Sequence, residues 1–416
     1  MSFLYLAGNF NLFGRGTASV SPTAHASFGA TYLSDKDPSS PHIAAEPVAA
    51  DSYMRVRGNA LLSGSTVVGG FELSPLVGWT SGNLGTGTSA ETAVAGEKRG
   101  GSYGLKLTGT DASNYGSRYL DVSVNPGEYR RANVYMRSPS SGTGKLYLRN
   151  LKTGNYYNGS AWASTRAAAA SSSSTTAFAS VPVTSVTYQI ESFDSCRSDT
   201  VTLRWELACE SGTFCFDDCS DFPGVNFASI HGHNYGGGVS PLVQSSDDAS
   251  SWTTRATMTI KRPAFFSTFS IIYAEYWQIL LSGTNFEVPY TGEAVLGQYS
   301  TSAASPQWGI PKTRSFPGVR TRSPGARHHV YNFAVDPPQD IEATFSARSA
   351  SDAAEIENLW LRSAHGQNPT IFVPIDTEAD VYYGRLIEPI TVQRPFSGVY
   401  DTTLRLMGDP LPTIGL

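Results

Sequence analysis

What this sequence is short of narrows it first. Charged residues make up 16% of its 416 positions, against about 25% in ordinary soluble domains. Long solvated helices laced with ion pairs would need more. Lys and Arg never occur in a run and the net charge is −5, so the basic footprint of a nucleic-acid binder is missing. No stretch approaches the ~20 apolar residues of a membrane helix, and no membrane insertion is expected. The opening MSFLYLAGNFNLFGRG has neither a basic start nor a long apolar run. It reads as a first β-strand rather than a signal peptide, which predicts a soluble chain made in a cytoplasm.

Catalytic signatures are also missing. There is no H-E-x-x-H, no Walker loop and no Rossmann glycine pattern. The chain is expected not to be an enzyme, and a paired-carboxylate glycosidase is the one chemistry that this search leaves open. Cysteine is scarce. The four, Cys196, Cys209, Cys215 and Cys219, fall close together without paired C-x₂-C spacing. Buried free thiols are the expectation, with disulfides and a zinc site as alternatives.

What is abundant is Gly (40), Pro (24), Tyr (21) and Phe (20), with Ser and Thr throughout. That mixture favours short strands and tight turns. SYMRVRG (Ser52–Gly58) alternates cleanly, with Tyr53, Arg55 and Arg57 on one face and Met54 and Val56 on the other. In VTLRWELA, Val201, Leu203, Trp205 and Leu207 share one face, which makes Trp205 a core residue. The stretch from SYGLKLTGT to TFCFDD strings at least seven such segments between Gly/Ser/Asn turns, the pattern of a β-sandwich. FSIIYAEYWQILLSGTNF is the most apolar segment and reads as one central strand. AAAASSSSTT (Ala167–Thr176) reads as a surface loop. SASDAAEIENLWLRSAH is the best helix, capped by Ser349 or Ser351, with Glu355 in its first turns and Ile356, Leu359 and Trp360 as its apolar stripe.

Several residues could carry chemistry. YYNGSAW supplies Tyr156, Tyr157 and Trp162 on an aromatic loop, and Trp79 lies near the opening of the same unit. Flat rings with hydrogen-bonding neighbours suit the C–H faces and hydroxyl rim of a sugar, and core packing is the other reading. His231 and His233 flank a glycine and could grip a metal, or simply bond to loops at a strand end. Asp247–Asp248 reads as turn chemistry.

Four pieces in order, GGFELSPLVGWTSG (Gly69–Gly82), GSYGLKLTG (Gly101–Gly109), NPGEYRRANVYMR (Asn125–Arg137) and GTFCFDD (Gly212–Asp218), resemble the jelly-roll carbohydrate-binding modules appended to glycoside hydrolases. The resemblance implies glycan binding, with Trp79, Tyr156, Tyr157 and Trp162 as candidate contacts. It also implies a structural calcium ion on Glu72, Asp217 and Asp218, where the first and last strands meet. Flanking stretches, ATYLSDKDPSS with SYMRVRG, VNFASIHGHNYGGGVSPLVQSSDDASSW (Val225–Trp252) and YWQILLSGTN…TGEAVLG (Tyr276–Gly297), resemble a discoidin-like galactose-binding domain split by that module. The last ~115 residues are similar in pattern to phage tail-tip and distal-tail domains.

The expectation is therefore an all-β chain. A discoidin-like sandwich (1–70 plus 219–300) carries an inserted jelly roll (71–218), followed by a C-terminal β-rich domain with one short helix (301–416). The resemblances imply a non-enzymatic bacteriophage tail component in the virion. Its partners would be other tail proteins, copies of itself and host cell-surface glycans, without nucleic acid. A free carbohydrate-binding protein, a capsid decoration protein and a polysaccharide depolymerase are the alternatives.

Overall fold

A computed structural model describes residues 3–7, 11–13, 15, 17–21, 30, 42–43, 51–58, 71, 78–139, 142–173, 178, 184–191, 200–236, 238–261, 264–283, 290–302, 312–314, 318–322, 328–332, 339–363, 367–373, 381–387 and 391–408. The fold is all-β, with one short helix among the described residues. The chain forms two compact units: Met1–Gly58 with Val225–Leu416, and Asn59–Gly224. No described helix is long and apolar enough to cross a membrane.

The Asn59–Gly224 unit is a sandwich of two antiparallel sheets. In the first, Gly116–Val124, residues 201–212 and Gly142–Asn150 lie side by side. Thr80–Ser81 extends one edge, and Tyr156–Tyr157 with Trp162–Ala163 the other. In the second sheet, Thr88–Thr92, Gly104–Gly109, residues 212–223, Tyr129–Arg137 and Thr184–Gln189 follow in order. VTLRWELA and TFCFDD, read from the sequence as separate strands, are thus parts of one long strand, Val201–His233. The strand passes from the first sheet to the second at Gly212, whose φ of 71° lies in the region glycine enters without a Cβ clash. Trp205, Leu203, Leu207, Phe214 and Phe216 from this strand fill the space between the sheets. Trp205 is buried, as its alternation predicts. Ala170–Ser172 pairs with Gly144–Leu146, so part of the alanine–serine stretch is an edge strand and not a loop. Small side chains let it lie close against its neighbour.

In the other unit, a five-stranded sheet runs Thr253–Thr257, Val239–Ser246, Tyr276–Gly283, Ser52–Arg57 and Thr17–Ser21. It shares a core with residues 225–233 and Tyr290–Gly297, built on Val56, Trp277, Ile279, Ile230 and Leu296. The long apolar segment is two strands, Ala264–Tyr273 and Tyr276–Gly283, not one. The break at Ala274 and Glu275 is held by Gly58, whose N–H donates to the Glu275 carbonyl at 2.7 Å. A further sheet takes Phe3–Ala7 between Ser300–Ser302 and Thr370–Val373. It continues through Tyr382–Leu386, Val399–Gly408 and Gln339–Arg348. The helix Ala350–Arg362 buries Ile356 and Leu359 among Ile341, Phe345, Leu404 and Leu406. Ser349 caps it, completing a capping box with Asp352.

Candidate functional site

Strand alternation in the first sheet of the Asn59–Gly224 unit puts its apolar residues inward and a second set outward. On residues 201–210 the outward set is Thr202, Arg204, Glu206 and Glu210. Register carries the same face across the neighbouring strands. Tyr119 lies opposite Glu206 and Asp121 opposite Arg204. On the other side, Tyr147 lies opposite Glu206, and Arg149 opposite Arg204. Tyr156 follows Arg149 on the next strand. Aromatic, basic and acidic side chains therefore form rows across four adjacent strands, a consequence of the two-residue period alone.

Each row is internally bonded. Arg204 forks onto Asp121, with Nε to Oδ1 at 2.7 Å and Nη2 to Oδ2 at 2.8 Å. Its guanidinium lies 3.8 Å from the Tyr119 ring centroid. Arg166 reaches over Tyr147 at 4.0 Å and Tyr115 at 4.9 Å. It also pairs with Glu206 at 3.4 Å and Glu210 at 3.2 Å. Lys145 pairs with Glu210 as well. Arg149 lies 5.2 Å from the Tyr156 ring, and Tyr156 meets Tyr147 edge-on at 6.4 Å. Such contacts hold rings and guanidinium planes in one arrangement.

The electrostatics follow from that packing. Burial raises the Tyr147 phenol well above its ordinary range, and the hydrogen bond to Glu210 adds to this. Burial alone would also raise Glu210. Hydrogen bonds from Lys145 and Tyr147, with the charges of Lys145 and Arg166, outweigh it and hold the carboxyl below its usual range. Burial raises the Tyr115 phenol too, with Glu206 acting in the same sense. Four cations (Lys145, Arg149, Arg166, Arg204) face three carboxylates (Asp121, Glu206, Glu210), so the face is close to neutral.

The candidates named from sequence divide by parity. Tyr156 points onto the outer face. Tyr157, one residue on, is buried in the core, where its ring packs at a tilt against Trp162 at 5.5 Å and Tyr188 at 5.9 Å. Trp162 is half-buried on the same inward side, its indole N–H donating to the Gln189 carbonyl at 2.7 Å. Trp79 is buried against Phe71, with centroids 5.3 Å apart, so it belongs to the core and not to a binding loop. Tyr115, Tyr119, Tyr147, Arg166, Arg204, Glu206 and Glu210 were not singled out from sequence. Their signal was the polar half of the same alternation that identified Trp205 as core.

Glu72 lies outside the described residues. Asp217 and Asp218 sit at a bulge, where the register shifts between Asp217 and Ser220 and Asp218 has a φ of 44°. Asp217 Oδ2 accepts the Arg99 N–H at 2.6 Å and Oδ1 accepts the Asp218 N–H at 2.9 Å. Asp218 pairs with the Arg99 guanidinium. A cation and backbone N–H groups thus already face these oxygens, and the described pair does not fit a calcium ion. Cys209, Cys215 and Cys219 are buried free thiols, and Cys196 lies outside the described residues. His231 bonds to Ser229 Oγ at 2.9 Å and His233 to the Lys261 carbonyl at 3.1 Å, so both imidazoles serve the sheet. No metal-binding group of three His, Cys, Asp or Glu occurs among the described residues.

No protein-family model matches the sequence, and no curated protein does. Solved structures give weak likenesses. One is the xylanase 10B fragment of Clostridium thermocellum with its family 22 module and xylohexaose, at 14% identity and a TM-score of 0.25, covering 36% of this chain and 27% of that one. Another is the TmCBM61 module with β-1,4-galactotriose, at 14% identity and a TM-score of 0.23, covering 39% of this chain and 98% of that one. A third is the active domain of bacteriophage CBA120 tailspike protein 4, at 11% identity and a TM-score of 0.25, covering 39% and 21%. The chain thus spans about a quarter or less of the xylanase and tailspike chains. Likeness at this level bears on neither ligand nor activity.

Proposed function

We propose that the chain is a non-catalytic glycan-binding protein, with its ligand on the outer face of the first sheet of the Asn59–Gly224 unit. The observation that carries this is the outer-face row of half-buried rings, Tyr119 and Tyr156, beside Arg166, Arg204, Glu206 and Glu210, with Tyr147 buried beneath Arg166 as their support. Pyranose rings offer C–H faces to aromatic planes and adjacent hydroxyl pairs to bidentate guanidinium and carboxylate groups. A near-neutral face suits a neutral or weakly charged polysaccharide and disfavours nucleic acid. Hydrolysis would need a carboxylic acid whose pKa is raised so that it can protonate a leaving oxygen. Glu210 is displaced the other way, which supports binding without turnover. Of the readings drawn from the sequence, this is the free carbohydrate-binding alternative. A phage tail position and tail partners are carried by no described residue.

Affinity electrophoresis through gels containing xylan, galactan or mixed-linkage glucan tests the proposal. Retardation by at least one of them is expected, with affinity reduced roughly two- to tenfold by Tyr119→Ala, since a well-formed aromatic contact contributes roughly 0.5–1.5 kcal/mol. Release of new reducing ends from the same polysaccharides would overturn the non-catalytic reading.

A further inference from the structure

A hairpin at the edge of the first sheet of the Asn59–Gly224 unit carries a chemistry that glycan binding does not use. Tyr156–Tyr157 and Trp162–Ala163 pair through Tyr156 with Ala163 and Tyr157 with Trp162, which leaves residues 158–161 as the connecting loop. The Asn158 N–H closes that loop by donating to the Ala161 carbonyl at 3.0 Å. Every residue of the loop is exposed. Asn158 and Gly159 are the one Asn-Gly pair in the sequence. Gly159 has a φ of 95°, a conformation that glycine enters without strain.

The Asn158 side chain is turned back onto its own loop. Its Oδ1 accepts the Ser160 N–H at 3.0 Å, the Ser160 hydroxyl at 3.0 Å and the Ala161 N–H at 2.8 Å. An Asx turn needs only one such bond. Three donors on one amide oxygen draw electron density away from Cγ. They are already aimed at the atom that takes up negative charge when a nucleophile adds there. The nearest nucleophile along the chain is the next backbone nitrogen. Gly159 has no Cβ to shield it, and its N–H has no hydrogen-bond partner among the described residues.

We propose that Asn158 is a self-modifying site, where the folded loop deamidates the asparagine to aspartate and isoaspartate. The Gly159 nitrogen gives its proton to a solvent base and bonds to Asn158 Cγ. The bond from Cγ to the side-chain nitrogen breaks, and that nitrogen takes a proton from water and leaves as ammonia. One water molecule then opens the cyclic imide at either carbonyl. Water is the only co-reactant, and nothing is oxidised or reduced. Opening at the side-chain carbonyl gives aspartate. Opening at the main-chain carbonyl gives isoaspartate, whose backbone runs through the former side chain and is one carbon longer. Both products put a carboxylate two residues beyond Tyr156. The longer backbone also disturbs the pairing of Tyr156 with Ala163, and with it the placing of the Tyr156 ring near Arg149. On the glycan-binding reading, affinity at that face therefore falls as the loop ages.

Peptide mass spectrometry of the full chain, held folded in mildly alkaline buffer, tests the site, and enzymatic methylation of isoaspartate detects the lengthened product. Conversion of amide to acid is expected at Asn158 before any other asparagine. Ser160→Ala should slow it about two- to tenfold, the rate equivalent of one hydrogen bond. Asn158→Gln, which needs a larger ring, should abolish it. Unfolding the wild type in urea should not accelerate it. Faster conversion in urea, an unchanged rate in Ser160→Ala, or earlier conversion at another asparagine would overturn the inference. Affinity electrophoresis of fresh and aged chain then reads the consequence. Weaker retardation of the aged chain is expected, and equal retardation would overturn the effect on the face. A fresh chain that no polymer retards would overturn the glycan-binding reading, while the mass measurement still decides the modification.

Discussion

Tyr147 donates its phenolic O–H to Glu210 at 2.5 Å, across neighbouring strands on the outer face of one sheet. The phenol is nearly buried and the carboxylate also receives Lys145 and Arg166, so the bond ties two strands and the segment carrying Arg166 together. Tyr147→Phe keeps the ring beneath Arg166 and deletes only the hydroxyl. It should lower stability by about 1.5–3 kcal/mol, the range for a hydrogen bond to a charged group. Urea denaturation reads this as a lower midpoint with an unchanged slope. An unaltered midpoint would mean that water replaces the bond without loss.

Asp217 offers a pH signature. Burial, opposed by the Arg99 N–H and helped by the Asp218 charge, raises its carboxyl from 3.8 to about 6. The folded state therefore binds more protons than the unfolded state between those values. The contribution of this group is fully present below pH ~4 and is lost as pH rises through about 6. The slope is at most about 1.4 kcal/mol per pH unit for one proton. Asp217→Asn should flatten that part of the stability–pH curve, and the same slope in both proteins would assign the effect elsewhere.

His231 behaves in the opposite sense. Burial, with His233 nearby, lowers its imidazole from 6.5 to about 3. A depressed histidine stabilises the fold above its unfolded value and withdraws that support as pH falls toward the folded one. Nitrogen-15 NMR of the imidazole at pH 5 should find a neutral ring. A charged ring there would mean that the packing against Tyr383, at 4.9 Å between centroids, opens to solvent.

Ser349 accepts the Asp352 N–H at 3.2 Å, and the Asp352 carboxylate receives the Ser349 N–H at 3.3 Å. Ser349→Ala should cost about 1 kcal/mol of stability. Ser349→Asp should retain most of it, and chemical denaturation distinguishes the two.

How far the sequence carried the reading depends on which half of each alternation was used. Met54 and Val56, Leu203 and Trp205 are inward as their spacing predicts, because hydrophobic burial selects one parity along a strand. The outward parity was equally readable: Arg204 and Glu206, or Tyr147 and Arg149, are two residues apart. Nothing local says that those rows become neighbours, since register between strands distant in sequence is set by the whole sandwich. Parity also separates Tyr156 from Tyr157, which composition treats alike. The break at Ala274 and Glu275 escaped for a similar reason. Apolar content continues through it, and the Gly58 contact that defines it comes from far away in the chain.

The pairing of Phe3–Ala7 with Thr370–Val373 and Ser300–Ser302 has a temporal consequence. This strand is synthesised long before either of its partners. During synthesis it leaves the ribosome with its backbone N–H and C=O groups unmatched, and it stays so while the intervening segments emerge. Its sheet closes late, across a long loop whose entropy must be overcome before the pairing is rewarded. Until then it is an open edge, available to another chain. Slow final folding, and sensitivity of the nascent chain to self-association, are built into that one placement.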